Sequence, residues 1–175
     1  NPEADLTVEI GVQGGASKPV EFRLGELFAV ARFGEVGLFQ GVSKKSIKKL
    51  ETPGKVNDLK FDKTSSLLVA ATGLAGVRGE AILWDTTDGN VIQSFKGHSD
   101  AIYCVAISTD GNLVATGSYD RQIIVWDVET GTQLLRAPGM NGSTAGRIWF
   151  SPDDARLVVA YFDGHMGVWD IQTRE

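Results

Sequence analysis

The chain has 175 residues, with 22 acidic against 17 basic side chains, a formal net charge of −5 and 42% hydrophobic residues. That balance excludes a disordered chain and argues against a nucleic-acid or anionic-membrane surface. No apolar run approaches the roughly 18 residues of a membrane span, and the single cysteine, Cys104, excludes an internal disulfide or a cysteine metal cluster.

Residues 1–18 carry no repeat and read as a linker or N-terminal extension. Gly11 to Lys18 lacks the Gly-Lys-Ser/Thr ending and following helix that a phosphate loop needs. A first unit, 19–51, contains short apolar strands at Leu27 to Ala31 and Val36 to Gln40, then an outer strand with Lys44, Lys45, Lys48 and Lys49. Lysines there protect an exposed sheet edge from mispairing. A second unit, 52–96, predicts strands at Val56 to Phe61, Leu67 to Ala71, Ala81 to Leu83 and Val91 to Phe95. A third, 97–138, predicts them at Ile102 to Ile107, Leu113 to Thr116, Ile123 to Val125 and Gln133 to Arg136. A fourth, 139–175, predicts three, at Ile148 to Phe150, Leu157 to Tyr161 and Met166 to Val168. Asp88-Gly89 and Asp110-Gly111 supply the positive φ of tight hairpin turns. No segment holds a helical period over three turns, so the fold class is all-β.

The units are copies of one another. Each of the last three carries a Trp-Asp pair after its third strand: Trp84-Asp85, Trp126-Asp127 and Trp169-Asp170. The intervals are 42 and 43 residues, and Phe39-Gln40 stands as a decayed copy 45 residues before Trp84. With Gly97-His98 upstream of Trp126, this pattern resembles the WD40 repeat, whose period is 40–45 residues and whose unit is a four-stranded propeller blade. The resemblance is specific over 52–175 and faint over 19–51. It implies a WD40-type β-propeller of about four blades, an incomplete, open part of a larger, seven-blade-like propeller with apolar blade faces. In the alternative, Asp5 to Ile10 supplies the missing fourth strand of the last unit and closes a four-blade ring.

The resemblance also implies a hydrogen-bonded chain of His98, Thr116, Asp120 and Trp126 in the third unit, with Ser118 as an alternative hydroxyl. A hydrolase-like triad would use the same residue types, but a Trp-linked structural network accounts for all of them. The other units depart from the pattern. Thr52 falls at the His position in the second, which has the longer loop 74–79. Asn141 falls there in the fourth, which keeps Asp163 and Trp169. Arg147 and Trp149 align with Cys104 and Ala106: either a neighbouring blade makes room for them, the preferred reading, or this face meets something unusual. Cys104 reads as a buried packing thiol and His165 as an exposed turn residue. No zinc, calcium or dinucleotide pattern is complete, so no metal or cofactor is implied.

A repeat fold without a catalytic constellation points to a non-enzymatic protein-protein interaction scaffold. By the resemblance, the loops at one end of the propeller carry the partner-binding candidates Lys55, Asn57, Arg78, Asp100, Tyr103, Arg121 and His165. Tyr103 and Arg121 come first, since Tyr and Arg are typical anchors. The expected partners are a protein or peptide, and missing blades of the same chain or a second copy meeting the open blade faces; no nucleic acid and no membrane are expected. The alternative function is an accessory propeller segment of a larger enzyme or redox protein whose catalytic part lies outside this chain. The sequence assigns no compartment.

Overall fold

The computed structural model describes residues 20–22, 27–41 and 46–173. These form four antiparallel sheets, each a simple meander in chain order. The first contains β1 (Val20–Phe22), β2 (Leu27–Arg32), β3 (Glu35–Gln40) and β4 (Lys48–Glu51). The second contains β5 (Val56–Phe61), β6 (Leu67–Thr72), β7 (Glu80–Asp85) and β8 (Val91–Lys96). The third contains β9 (Ile102–Ile107), β10 (Leu113–Ser118), β11 (Gln122–Asp127) and β12 (Gln133–Pro138). The fourth contains β13 (Ala145–Phe150), β14 (Arg156–Tyr161) and β15 (Met166–Asp170). The first unit has an innermost strand, β1, that the sequence reading lacked, and β13 begins at Ala145 rather than Ile148; β3, β7, β11 and β14 each begin one residue earlier than read. Asp5 to Ile10, Lys44 and Lys45 lie outside the described residues.

Alternation along each strand sends one set of side chains back to the preceding sheet and the other forward to the next. The core is therefore divided into three seams. Val36, Leu38 and Leu50 meet Leu59, Leu68 and Trp84 in the first. Val69, Leu83 and Phe95 meet Val105, Ile124 and Trp126 in the second. Cys104, Ala106 and Val125 meet Ile148, Leu157 and Tyr161 in the third. Strand β9 packs on β5 and β6, and β13 on β9 and β10, whereas no strands of the first and fourth sheets pack together in this way among the described residues. The stack is an open part of a propeller.

Side-chain caps explain why the turns recur. Asp62 Oδ1, Ser108 Oγ and Ser151 Oγ each accept from the backbone N–H five residues on, at 2.7, 2.8 and 2.9 Å, closing the turn between a blade's first two strands. The Asp of each Trp-Asp pair does the same after the third strand. Asp85 accepts from Thr87 N–H at 2.7 Å, Asp127 from Thr130 at 2.7 Å and Asp170 from Thr173 at 2.9 Å. Hydrogen bonds to the ionised carboxylate hold all three below the ordinary aspartate value.

Arg147 and Trp149 lie on the forward face of the fourth sheet, against which no described strand packs. Trp149 is 47% exposed, and Met166 and Val168 on the same face are 65% and 60% exposed. Arg147 reaches back instead, its Nη1 3.7 Å from Oδ1 of the buried Asp58.

Candidate functional site

Two constellations stand out, a polar one in the third blade and another across the loop end of the stack. In the first, His98 Nδ1 lies 2.9 Å from Asp120 Oδ2 and its Nε2 lies 2.8 Å from Thr116 Oγ1. The indole Nε1–H of Trp126 donates to the same hydroxyl at 2.9 Å. The contacts suit the neutral tautomer in which Nδ1–H donates to the carboxylate and Nε2 accepts from the hydroxyl, which also lies 3.3 Å from Ile124 O. Burial holds the His98 imidazole below its ordinary value, although Asp120 opposes this. Asp120 also accepts from the N–H groups of Ser99 and Gln122 at 2.9 Å each. Burial opposes ionisation, but the interaction with His98 and these hydrogen bonds outweigh it and hold the carboxyl below the usual range. Ser118 has a different task, donating to Asp100 O at 3.0 Å and accepting from Asp120 N–H at 3.1 Å.

The other blades are built differently. In the fourth, Trp169 Nε1–H donates to Tyr161 Oη at 3.1 Å, so a phenol stands in for the threonine. Asp163 instead accepts from His165 N–H at 3.1 Å and faces its Nδ1 at 3.2 Å. Asn141 is exposed and left-handed, φ 53°, in the 3-10 turn Met140–Gly142, outside any such chain. In the second, Thr52 Oγ1 donates to Gly54 O at 3.0 Å.

The second constellation is the loop end of the stack, where second strands turn into third strands and one blade passes to the next. Tyr103 is half-buried there, with Tyr119 packed edge-on at 5.3 Å and Phe162 at 4.8 Å between ring centres. The strand registers place Phe33, Tyr119 and Phe162 at one position of the repeat, the residue after the second strand. They are 74%, 40% and 56% exposed. Gly73 takes that position in the second blade and is followed by Leu74, which with Val77 is also exposed. The sequence reading missed this row, although an aromatic at the same turn position in three repeats was visible.

The partner-binding candidates divide by what they touch. Lys55, Arg78 and Arg121 are exposed, and their cationic groups make no hydrogen bond or ion pair among the described residues. The nearby carboxylates are engaged: Asp100 Oδ1 accepts from the N–H groups of Gly76 and Ala101 at 2.7 Å each, bracing loop 74–79. Asp100 keeps its negative charge while these donors occupy it, whereas the three cations have no ion-pair partner among the described residues. His165 is exposed beside Asp163. Asn57 belongs to a seam rather than a contact surface, because its amide donates to Ile102 O at 2.8 Å and Gly73 O at 3.2 Å, fastening β5 to the third blade. Arg121 occupies its tight turn with φ 63°.

No cluster of three or more His, Cys, Asp or Glu able to hold a metal occurs among the described residues, and no helix is long and apolar enough to cross a membrane. Cys104 is buried, its thiol pushed well above the ordinary value by loss of solvent.

Comparison with known proteins agrees with the repeat geometry. The family described as WD domain, G-beta repeat matches residues 89–127. The zebrafish (Danio rerio) intraflagellar transport protein 122 homolog is 42% identical over 71 residues, covering 41% of this chain and 6% of that protein. The human (Homo sapiens) angio-associated migratory cell protein is 29% identical over 148 residues, with 63% and 33% covered. The Schizosaccharomyces pombe periodic tryptophan protein 2 homolog is 26% identical over 93 residues, with 53% and 11% covered. The chain thus spans a third or less of the length of these relatives. With its period, its Trp-Asp turns and its stacked three- and four-stranded meanders, the chain carries WD40 repeats and folds as part of a WD40-like β-propeller.

Proposed function

We propose that the chain is a non-enzymatic protein-interaction scaffold whose contact surface is the loop end, with Tyr103 and Arg121 as its first anchors. The observation that carries this reading is the aromatic row Phe33, Tyr119 and Phe162 beside cations that have no internal partner. Aromatic rings and arginine are the side chains that dominate interface energetics, and the three cations without an ion pair can pair with acidic groups of a partner. The buried position of His98, Thr116 and Asp120, tied to an indole, supports a structural role for that set. No observation favours the alternative of an accessory segment of an enzyme. A pull-down tests the reading: Tyr103→Ala with Arg121→Glu should lose partners that the unaltered chain retains, and retention of every partner would remove this surface assignment.

The open face of the fourth sheet supports a second class of partner, a further blade from more of the same chain or from a second copy. Trp149, Met166 and Val168 occupy the register positions at which Ala106, Ile123 and Val125 receive the fourth blade. Sedimentation over a range of concentrations tests the self-association form. Association that Trp149→Ser with Val168→Ser abolishes supports a second copy; a monomer at every concentration leaves only the longer chain as source.

A further inference from the structure

The loop end contains a cleft of about 680 Å³ above the second blade. Its apolar wall is Phe33 from one side and Leu74 and Val77 from the other; its polar wall is Arg78, Glu80 and Lys96. The volume falls in the range of sites that take a few side chains of a ligand. Lys96 Nζ is neutralised by Glu80 at 3.4 Å, whereas the Arg78 guanidinium makes no bond among the described residues. The loop that carries Leu74, Val77 and Arg78 is held at its middle, where Gly76 N–H donates to Asp100 at 2.7 Å, and at its ends, where Gly73 N–H donates to Lys55 O at 3.0 Å and Gly79 N–H to Asp100 O at 3.1 Å. Its backbone also approaches the third blade closely, since a Cβ at Gly79 would lie 2.5 Å from Ile102 N. The cleft therefore has a preformed, apolar wall open to solvent and one planar cation without an ion pair, suited to a carboxylate.

We propose that this cleft receives a short peptide segment in which an apolar side chain, such as leucine or phenylalanine, adjoins an aspartate or glutamate. The apolar side chain seats between Phe33, Leu74 and Val77, and the carboxylate pairs with Arg78. This deepens the loop-end reading and rests on it. Charge decides between occupants: a basic segment would leave Arg78 facing a like charge, and a purely apolar one would desolvate the guanidinium without a partner.

The test selects a displayed library of random twelve-residue peptides on the immobilised protein. Fluorescence anisotropy then follows one labelled selected peptide on folded variants checked by circular dichroism. The expected result is a selected pattern of one apolar residue beside Asp or Glu. Binding should weaken about tenfold or more in Arg78→Glu and by a similar factor in Leu74→Ser with Val77→Ser, and should change less than about twofold in the exposed outer-strand change Ile92→Ser; Tyr103→Ala with Arg121→Glu is measured alongside. No enrichment, enrichment of Lys and Arg, or binding indifferent to Arg78→Glu would overturn the proposal. Loss confined to the Tyr103 and Arg121 variant would overturn the cleft while leaving the wider loop-end reading intact.

Discussion

Replacing Thr116 by valine tests the buried polar chain at its joint. Valine nearly matches threonine in volume, so the change removes a hydroxyl without opening a cavity. That hydroxyl serves two buried partners, the Trp126 indole at 2.9 Å and His98 Nε2 at 2.8 Å, and Thr116, Trp126 and His98 are at most 2% exposed. Each lost hydrogen bond is worth about 1 kcal/mol net, and each group left without a partner costs about 1–3 kcal/mol. The expected loss is about 2–4 kcal/mol, read as a lower urea midpoint with an unchanged slope. Thr116→Ser keeps the hydroxyl and should recover most of it. Thr116→Val combined with Trp126→Phe should cost clearly less than the two single changes summed, because the second removes the stranded donor. A loss below about 0.5 kcal/mol, far under the range expected for stranded groups, would refute the reasoning. So would Thr116→Ser proving as costly as Thr116→Val.

Other expectations follow from the same contacts. His98 is held below its ordinary value of 6.5, so the unfolded chain takes up a proton first and stability falls as pH drops below about 6.5. Asp120, held below its ordinary 3.8, loses its contribution only below that value. Asp58, raised by burial, acts in the opposite sense. The readout is therefore the difference between the unaltered protein and His98→Gln in urea titrations at several pH values, with a flatter pH 5–7 profile expected for the variant. Gly117→Ala would press a Cβ to 2.7 Å from Ala145 Cβ and 2.8 Å from Cys104 Sγ, wedging the third seam at a cost of about 1–3 kcal/mol. Thiol labelling should then reach Cys104 faster than in the unaltered protein, where it should be slow. Asn57→Ala should lower stability by about 1–2 kcal/mol by leaving the carbonyls of Ile102 and Gly73 without their donor, measured by thermal unfolding with partner capture unchanged.

The fold was legible because period, turn chemistry and strand alternation agree at every level. Trp-Asp marks a place where an indole fills a seam and an aspartate caps the following turn, and both tasks demand those residue types. Short first strands were less legible: Val20–Phe22 is three residues long and carries no pattern of its own. The site was legible only in part. Lys55, Arg78 and Arg121 are exposed cations at loop positions that the repeat alone identifies. Asn57 reads as a polar loop-end residue until the seam is seen, because its partners are carbonyls 16 and 45 residues away. Tyr161 serving Trp169 was invisible for a similar reason: a phenol reaches an indole from the place where the third blade carries Ser118.

Site-specific photocrosslinking tests the central claim most directly. Benzoylphenylalanine is placed singly at Tyr119, at Phe162 and, as an outer-strand control, at Ile92, which is also exposed. The account expects partner proteins to crosslink through Tyr119 and Phe162 and not through Ile92; crosslinks through Ile92 alone would contradict a contact surface at the loop end.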